Sequence, residues 1–331
     1  MYPLRFRPIF RRYLWGGRRL ATTLQKPIGE HPAAESWEIV DHRDGQSVVA
    51  FGELDGRSLH DLVVEFDIDL VGRQTWQRIN DESLPPNLRF RFPLLLKFLD
   101  ASKNLSVQVH PDDELAATID PPDLGKTEAW LVLAAEPDAK IFAGLKEGVT
   151  KEAFANAIQT GDVEPLLHSF HAERGDCVFI PAGTMHAIGA GLLIAEIQQA
   201  SNTTYRVFDW NRVDADGNAR ALHIEQALSA THFDQGPVQP IKSDSTRDSQ
   251  MLVQCNHFNM KRQRLTNGDS LEIETLGEFV IVANISGSVM ISNDPSGLPL
   301  ELGQTALIPA CLERVTLTPD DDEVELLLIT P

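Results

Sequence analysis

Gln108 and His110 stand two positions apart in residues 104–111, which read Asn-Leu-Ser-Val-Gln-Val-His-Pro. The run contains β-branched residues typical of strands, and side chains two apart leave the same face of a strand. Eighteen residues after His110 comes Glu128, and fifty-eight residues after Glu128 comes His186. Two imidazoles, a carboxylate and an amide oxygen suit zinc or a similar borderline metal. The spacing therefore predicts a divalent-metal site assembled from three separate strands, with room left for water or substrate.

The elements that must position these residues are mostly strands. Short apolar runs bounded by Gly, Pro, Asn or Asp recur along the chain, as in β sandwiches and barrels. The predicted strands include residues 36–40, 47–51, 94–99, 129–134, 177–180, 192–198, 279–285 and 323–329. Periodicity and capping residues predict helices at 59–71, 151–159, 163–170 and 224–229, and composition predicts a linker at 234–250.

An internal repeat is visible in the second half of the chain. The pattern Gly-x5-Pro occurs at residues 175–181 and again at 303–309, an offset of 128. At this offset His186 corresponds to Arg314, so the second copy keeps the strand and loses the ligand. The longer pattern Gly-x5-Pro-x-Gly-x2-His of residues 175–186 resembles the second motif of the cupin superfamily.

The cupin resemblance implies a mainly β protein with two cupin-like β-barrel (jelly-roll) domains and small helical insertions. We expect residues 1–240 to form a catalytic cupin domain with the helical insertions. Residues 241–331 are expected to form a C-terminal cupin-like β domain without metal ligands.

Charge and composition narrow the partners. The 331 residues carry 29 basic and 48 acidic side chains, a net charge of −19, which argues against general nucleic-acid or anionic-membrane binding. An anionic substrate would therefore need a local cluster of Lys and Arg. The three cysteines, Cys177, Cys255 and Cys311, are too few and too scattered for a disulfide framework. We expect buried free thiols and a cytoplasmic location.

Several ordered motifs give the chain a closer likeness. It resembles the zinc-dependent, cupin-fold class of mannose-6-phosphate isomerases, in the short bacterial form. The matching segments are residues 3–17 with Trp-Gly-Gly, 35–38 with Glu-Ser-Trp-Glu, 93–101, 105–111, 125–130, 175–186 and 196–210. The last 80 or so residues match only in general character.

The resemblance implies that the four residues of the predicted metal site bind one zinc ion per chain. It implies a catalytic role for Arg206, which would stabilise an enediolate. Glu196 is the first candidate for the base and Lys126 is the alternative acid or base. Lys97 and Ser106 would contact the sugar phosphate. Asn202 departs from the short form, in which Asp often occupies this position, and this leaves the hydrogen bonding beside Arg206 open.

The activity implied is interconversion of mannose 6-phosphate and fructose 6-phosphate by metal-assisted proton transfer through an enediol. Two interpretations from other classes remain open: a metal-dependent cupin oxygenase, and a non-catalytic cupin that binds a sugar phosphate as a sensor. An isomerase for another hexose phosphate is a third. The expected partner is a small-molecule sugar phosphate, with no nucleic acid or membrane, and the expected state is a monomer or weak homodimer.

Overall fold

The computed structural model describes residues 1–213, 217–244 and 246–331, and most of its regular structure is strand. The strands are β1 Phe6–Arg7, β2 Ile9–Arg11, β3 Glu35–Ile39, β4 Asp41–His42, β5 Gly45–Gln46, β6 Val48–Val49, β7 Leu94–Ala101, β8 Val107–Val109, β9 Glu128–Ala135, β10 Lys140–Leu145, β11 Leu167–His171, β12 Cys177–Ile180, β13 His186–Ile188, β14 Leu192–Gln199, β15 Tyr205–Phe208, β16 Ser249–Gln254, β17 Asn259–Thr266, β18 Leu271–Glu274, β19 Val280–Ser286, β20 Val289–Ile291, β21 Thr305–Ile308, β22 Arg314–Pro319 and β23 Glu323–Thr330. The helices are α1 Arg19–Thr22, α2 Leu59–Val71, α3 Arg73–Ile79, α4 Asp113–Ala116, α5 Lys151–Thr160 and α6 Ile224–Ala230, with a 3₁₀ turn at Glu164–Leu166. The prediction of a mainly β fold is confirmed.

Two sheets in the first part of the chain form the framework of the site. One has six strands in the order β12-β9-β14-β7-β3-β2, and the other has five in the order β11-β10-β13-β8-β15. The ladders within them are antiparallel. Most neighbouring strands in these sheets are distant in sequence. Strands β7 and β14 are buried along their whole length, which explains their nearly continuous apolar sequences. Within the described residues the sheets stay open and do not close into hydrogen-bonded barrels.

The C-terminal part repeats this arrangement on a smaller scale. A five-stranded sheet, β16-β17-β23-β19-β21, accompanies a three-stranded sheet, β18-β22-β20. The repeat seen in the sequence corresponds to β12 and β21, which each follow a left-handed glycine: Gly175 has φ +90° and Gly303 has φ +80°. Only glycine adopts such angles without strain. His186 begins β13, and Arg314 correspondingly begins β22, where it lies near Glu272 and Glu274.

Two helices begin at the cap residues that the sequence predicts. Ser58 Oγ accepts a hydrogen bond from the backbone N–H of Asp61 at 3.1 Å and caps α2. Thr150 Oγ1 accepts from the N–H of Ala153 at 3.2 Å and caps α5. Helix α5 then ends at Gly161, which has a left-handed φ of +75°.

The predicted helix at residues 163–170 is wrong. Only Glu164–Leu166 forms a 3₁₀ turn, and Leu167–His171 is strand β11, paired antiparallel with β10. Side chains at residues 168–171 alternate between half-buried and exposed positions, as expected for a strand with one face towards the core. Pairing with a strand more than twenty residues away outweighs the local helical periodicity.

Smaller differences concern short or solvent-facing segments. The predicted strand at 47–51 is reduced to β6, and the three short helices α1, α3 and α4 are not predicted by the sequence. The predicted linker at 234–250 is irregular until β16 begins at Ser249, and Ser245 lies outside the described residues. Cys177 is buried as expected and Cys255 is half-buried, but Cys311 is exposed, which corrects the expectation of three buried thiols.

One apolar core extends across the proposed domain boundary at residue 240. The rings of Phe92 and Phe279 have centroids 4.7 Å apart, and both side chains are fully buried in the same cluster. Glu278 accepts hydrogen bonds from the first-turn N–H groups of α3, at 2.8 Å from Gln74 and 3.2 Å from Thr75. The division into two domains stays a proposal, and the shared core implies that the two parts stabilise each other.

This shared core predicts that Phe279→Ala lowers the free energy of unfolding of the whole chain by about 3–5 kcal/mol, because truncation leaves a cavity between the two parts. The measurement is denaturant unfolding followed by circular dichroism. Leu276→Ala is the matched control, since Leu276 is 88% exposed and its change should stay within about 0.5 kcal/mol. Equal midpoints for wild type and Phe279→Ala would contradict a shared core.

Candidate metal centre and active site

One row of side chains crosses the five-stranded sheet. Gln108 on β8 pairs directly with His186 on β13 and with Arg206 on β15. Residues opposite each other in antiparallel strands point to the same face of the sheet. His110, two positions after Gln108, joins the same face just beyond the end of β8. The sheet therefore presents two imidazoles, an amide and a guanidinium side by side.

The six-stranded sheet supplies the facing row. Glu196 on β14 pairs with Lys97 on β7 and with Trp130 on β9. Glu128 begins β9 and lies two positions before Trp130, so it shares that face. Lys126 precedes β9 and reaches the same place. The two sheets thus bring carboxylates and ammonium groups against the imidazoles.

Three donor residues form the centre of the cluster. His186 Nε2 lies 3.3 Å from Glu128 Oε1, and His110 Nε2 lies 3.6 Å from Glu128 Oε2. One donor atom from each of these three residues lies within 4.8 Å of the others, and all three side chains are buried. Tetrahedral ligands around a zinc ion lie at comparable mutual distances. The predicted convergence of His110, Glu128 and His186 is present.

Backbone carbonyls orient both imidazoles. His110 Nδ1 donates to the Thr203 carbonyl at 2.8 Å, and His186 Nδ1 donates to the Thr184 carbonyl at 2.9 Å. A carbonyl can only accept, so each Nδ1 carries the proton and each Nε2 keeps a free lone pair. Burial lowers the pKa of His186 to about 3 and that of His110 well below its usual value. Both rings are therefore neutral near pH 7, the state in which imidazole binds a metal.

Gln108, which the sequence predicts as a fourth donor, lies beside His186. Its Nε2 lies 3.3 Å from His186 Nε2, and its Oε1 accepts from Ser106 Oγ at 3.3 Å. Turning the amide by half a revolution would place Oε1 beside the imidazole, and Nε2 would then donate to Ser106 Oγ. The residues present therefore fit a four-donor divalent-metal site.

Lys126 contributes the positive charge nearest to these donors. Its Nζ contacts Glu128 Oε2, lies 3.0 Å from His110 Nε2 and lies 3.5 Å from Glu196 Oε1. Burial raises the pKa of Glu128 to about 8 despite the opposing effect of Lys126. A carboxylate in this position gains from any cation placed beside it. A divalent metal would supply that charge, and Lys126 would then pair with Glu196.

Lys97 pairs with two carboxylates. Its Nζ lies 3.1 Å from Glu196 Oε1 and 3.8 Å from Glu35 Oε1. Burial disfavours the ammonium, but Glu196 and Glu35 outweigh it and raise the pKa of Lys97 above its usual value. For Glu196 burial raises the pKa, and the charges of Lys97 and Lys126 reverse this to a net lowering. Glu196 is therefore a carboxylate flanked by two ammonium groups.

Arg206 lines a shared cavity of about 270 Å³. Its Nε donates to Ser106 Oγ at 3.0 Å and its Nη1 donates to the Ala221 carbonyl at 3.2 Å. Burial lowers its pKa, yet a guanidinium stays charged at neutral pH. Seven of the nine predicted site residues line this cavity: Lys97, Ser106, Gln108, Lys126, Glu128, Glu196 and Arg206. His110 and His186 contact Glu128 in its wall.

Sequence reasoning missed several residues that line the same cavity, among them Tyr13, Trp15, Glu35, Arg220 and His223. Three of them stand in motifs that the sequence analysis used for the resemblance, namely residues 3–17 and 35–38, which is the signal that could have found them. Arg220 and His223 follow the last matching motif and carry no such signal. Arg220 is held by Asp209, at 2.7 Å between Nε and Oδ2.

The arrangement suits chemistry on an anionic polyol. Four cationic side chains and three carboxylates line the cavity, although the chain as a whole carries a net charge of −19. A carboxylate and an ammonium group within 3.5 Å of each other offer a base and an acid at one place. A metal held beside them would polarise oxygen atoms of a substrate. Fold and site together define a two-sheet β protein with a buried metal-binding centre in a cation-rich cavity.

Comparison with known proteins identifies the family. Residues 4–129 match the model of the phosphomannose isomerase type I catalytic domain. The chain is 34% identical over 310 residues to mannose-6-phosphate isomerase ManA of Bacillus subtilis, covering 93% of each chain. It is 34% identical over 309 residues to a mannose-6-phosphate isomerase of Streptococcus mutans, covering 93% of this chain and 92% of the relative.

A solved structure agrees. The crystal structure of a mannose 6-phosphate isomerase from Bacillus subtilis superimposes with a TM-score of 0.84 at 29% identity, covering 99% of both chains. The chain belongs to the mannose-6-phosphate isomerase family, and the predicted family resemblance is confirmed.

None of the helices in the described ranges is long and apolar enough to cross a membrane.

The geometry predicts that the purified protein holds about one divalent ion per chain. His186→Ala should lose most of this metal, because the substitution removes one of the imidazole donors. We expect the variant to retain less than about a tenth of the wild-type metal after dialysis, in line with the 10–100-fold losses seen even for outer residues. Inductively coupled plasma mass spectrometry gives the content. His171→Ala, which removes an exposed histidine of β11, should keep it. Equal metal in both variants would exclude His186 as a ligand.

Proposed function

We propose that this protein interconverts mannose 6-phosphate and fructose 6-phosphate. The observation that carries the proposal is the buried His110, Glu128 and His186 cluster, which borders through Glu128 the cavity that the Glu196–Lys126 pair lines. Membership of the isomerase family supports this function over the oxygenase and sensor alternatives.

The reaction moves a proton between C1 and C2 of the sugar through an enediol. The metal ion held by Gln108, His110, Glu128 and His186 would supply Lewis-acid polarisation of the oxygens at C1 and C2. The protein must remove a proton from a carbon beside a carbonyl, return it to the neighbouring carbon and stabilise the negative oxygen formed in between. Each of these tasks has a candidate group in the cavity.

Glu196 is the proposed base. Its lowered pKa keeps it ionised near neutral pH, so its carboxylate is free to take the proton from C2 and deliver it to C1. Lys126 Nζ, 3.5 Å from Glu196 Oε1, is the proposed acid: it donates a proton to the C1 oxygen as negative charge develops there and recovers one from the C2 hydroxyl as the ketone forms. Lys97 also contacts Glu196, so it restrains the carboxylate as well as facing the substrate.

Arg206 is proposed to stabilise the enediolate. Its guanidinium is a permanent cation, and no carboxylate of the described residues lies within ion-pair distance of it. Its charge is therefore available to the substrate. Hydrogen bonds to Ser106 Oγ and to the Ala221 carbonyl fix its direction, which reduces the reorganisation needed when charge develops.

The phosphate is proposed to contact Lys97, Ser106 and one further cation, for which Arg220 is the candidate. Arg220 lines the cavity together with Arg206, while Asp209 holds it from the other side. Arginine suits phosphate because its planar donors match two phosphate oxygens at once. This assignment supplies the local positive charge that a chain of net charge −19 needs for an anionic substrate.

Three finer points belong to the same proposal. Zinc is the proposed metal because two imidazoles and a carboxylate are donors that it prefers. A reducing cytoplasm is the proposed location, since all three cysteines are free thiols. A monomer or weak homodimer is the proposed state in solution.

Metal removal tests the function. Dialysis against a chelator should abolish fructose 6-phosphate formation from mannose 6-phosphate in a coupled assay, and added Zn²⁺ should restore it, because the oxygens at C1 and C2 are no longer polarised. Metal analysis of the same sample is the control. Full turnover by verified metal-free protein would refute the role of the metal, and tight substrate binding without any turnover would favour the sensor.

Arg206→Ala should lower kcat by on the order of 10²–10³ with the fold intact, because the charge that stabilises the enediolate is lost. Steady-state kinetics and circular dichroism are the measurements. The contrasting variant is Arg220→Ala, which should raise KM for mannose 6-phosphate more than it lowers kcat, as expected for loss of a phosphate contact. A decrease in kcat of less than tenfold in Arg206→Ala would remove this residue from the mechanism.

A further inference from the structure

A second buried carboxylate, outside the cavity, organises the surroundings of the metal site. The side chain of Asp123 has no exposed surface and lies in the segment between α4 and β9, five residues before Glu128. Six groups lie within hydrogen-bond distance of its oxygens: Arg91 Nη1 at 2.8 Å, the N–H of Leu124 at 3.0 Å, Thr203 Oγ1 at 3.0 Å, and Ser201 Oγ, the N–H of Asn202 and His42 Nε2 at 3.3 Å each. All six can donate.

The donors come from three separate regions of the chain. Arg91 precedes β7, and His42 ends β4. His42 Nδ1 accepts from the N–H of Asp44 at 3.1 Å, so Nε2 carries the proton that faces Asp123. Apart from the N–H of the adjacent Leu124, the remaining side-chain and backbone donors belong to residues 201–203, the connection between β14 and β15. Burial opposes the charge, yet His42 and Arg91 lower the pKa of Asp123 well below its usual range. The carboxylate is therefore an acceptor only.

Thr203 connects this network to the metal centre. Its hydroxyl donates to Asp123 Oδ2, and its carbonyl accepts from His110 Nδ1 at 2.8 Å. The position of one residue thus depends on Asp123 and sets the direction and the protonated nitrogen of a metal-binding imidazole. Arg206 follows Thr203 by three residues in the sequence. Lys126 and Glu128 likewise follow Asp123 by three and five residues.

We propose that Asp123 is a positioning residue for the metal centre, acting on His110 through Thr203. The inference rests on the metal site proposed above. The carboxylate fixes the connection at residues 201–203 against the segment that carries Glu128, so that the Thr203 carbonyl keeps His110 Nε2 deprotonated and directed at the other donors. Outer groups that orient a metal-binding histidine change metal affinity by about 10–100-fold when removed. Asp123 acts on His110 through one further hydrogen bond, so we expect a loss of metal affinity at the lower end of that range.

The test is the affinity of the metal-free protein for Zn²⁺, measured in competition with a chromophoric chelator. Asp123→Asn preserves the shape of the side chain but turns an NH₂ group towards groups that donate. We expect its Kd for Zn²⁺ to rise by about tenfold or more, at a temperature where circular dichroism shows the protein folded. Thr203→Val removes only the hydroxyl link and leaves the carbonyl in place, and its Kd should rise by a smaller factor of about three to ten.

Asp176→Asn is the matched control. Asp176 is also a buried carboxylate, with the N–H of Glu173 at 3.0 Å and Lys242 Nζ at 2.8 Å from its oxygens, but neither group leads to a metal donor. A general loss of packing would affect both Asn variants alike. The proposal requires that, of these two variants, only Asp123→Asn has a raised Kd for Zn²⁺.

The two ways to fail are distinct. If the wild-type protein binds Zn²⁺ and both Asp123→Asn and Thr203→Val bind it with a Kd within a factor of about two of wild type, the positioning role is refuted and the metal site stands. If the wild-type protein binds no divalent ion, the metal site itself fails and this inference fails with it. Should Asp123→Asn not fold, Thr203→Val alone decides, because its half-buried hydroxyl contributes little to the core.

Discussion

The two carboxylates buried between the sheets, Glu128 and Glu196, depend on cations placed against them. An isolated ionised carboxylate in this position would cost several kcal/mol in lost hydration. Lys126 contacts both, and Lys97 contacts Glu196 from the next strand. These cations do not fully offset the effect of burial, because the pKa of Glu128 remains raised. A divalent ion would stabilise this carboxylate in its ionised form. The site is thus held together by charges that the proposed substrate and metal would also use.

Backbone geometry determines which atoms of these groups are available. Both histidines donate a hydrogen bond from Nδ1 to a backbone carbonyl. Their Nε2 lone pairs therefore face each other beside Glu128. These carbonyls belong to irregular connections, at Thr203 and Thr184, rather than to strands. Such connections keep one conformation only when other groups hold them, and the hydrogen bonds around Asp123 provide that for residues 201–203.

The C-terminal part supports the framework from outside the cavity. It has the same two-sheet arrangement, but the position equivalent to His186 is Arg314, which is used for surface ion pairs. Its apolar side chains enter the core that lies behind the six-stranded sheet, as the contact of Phe279 with Phe92 illustrates. The sheet that carries these buried ion pairs therefore has its opposite face covered by apolar packing.

The amino-acid sequence by itself determined the mainly β fold and the glycine-framed repeat, and it supplied the proposed donors. These features follow from residue type and short-range order: alternating strands, a left-handed glycine and His or Glu at recognisable positions in motifs. The pairing of charges was decided only by the tertiary structure. That Lys97 lies against Glu196, that Asp123 reaches His110 through Thr203 and that Arg220 lines the cavity all depend on strand order between distant segments. The strand at Leu167–His171 was missed for the same reason, because its hydrogen-bond partner β10 is invisible to local periodicity.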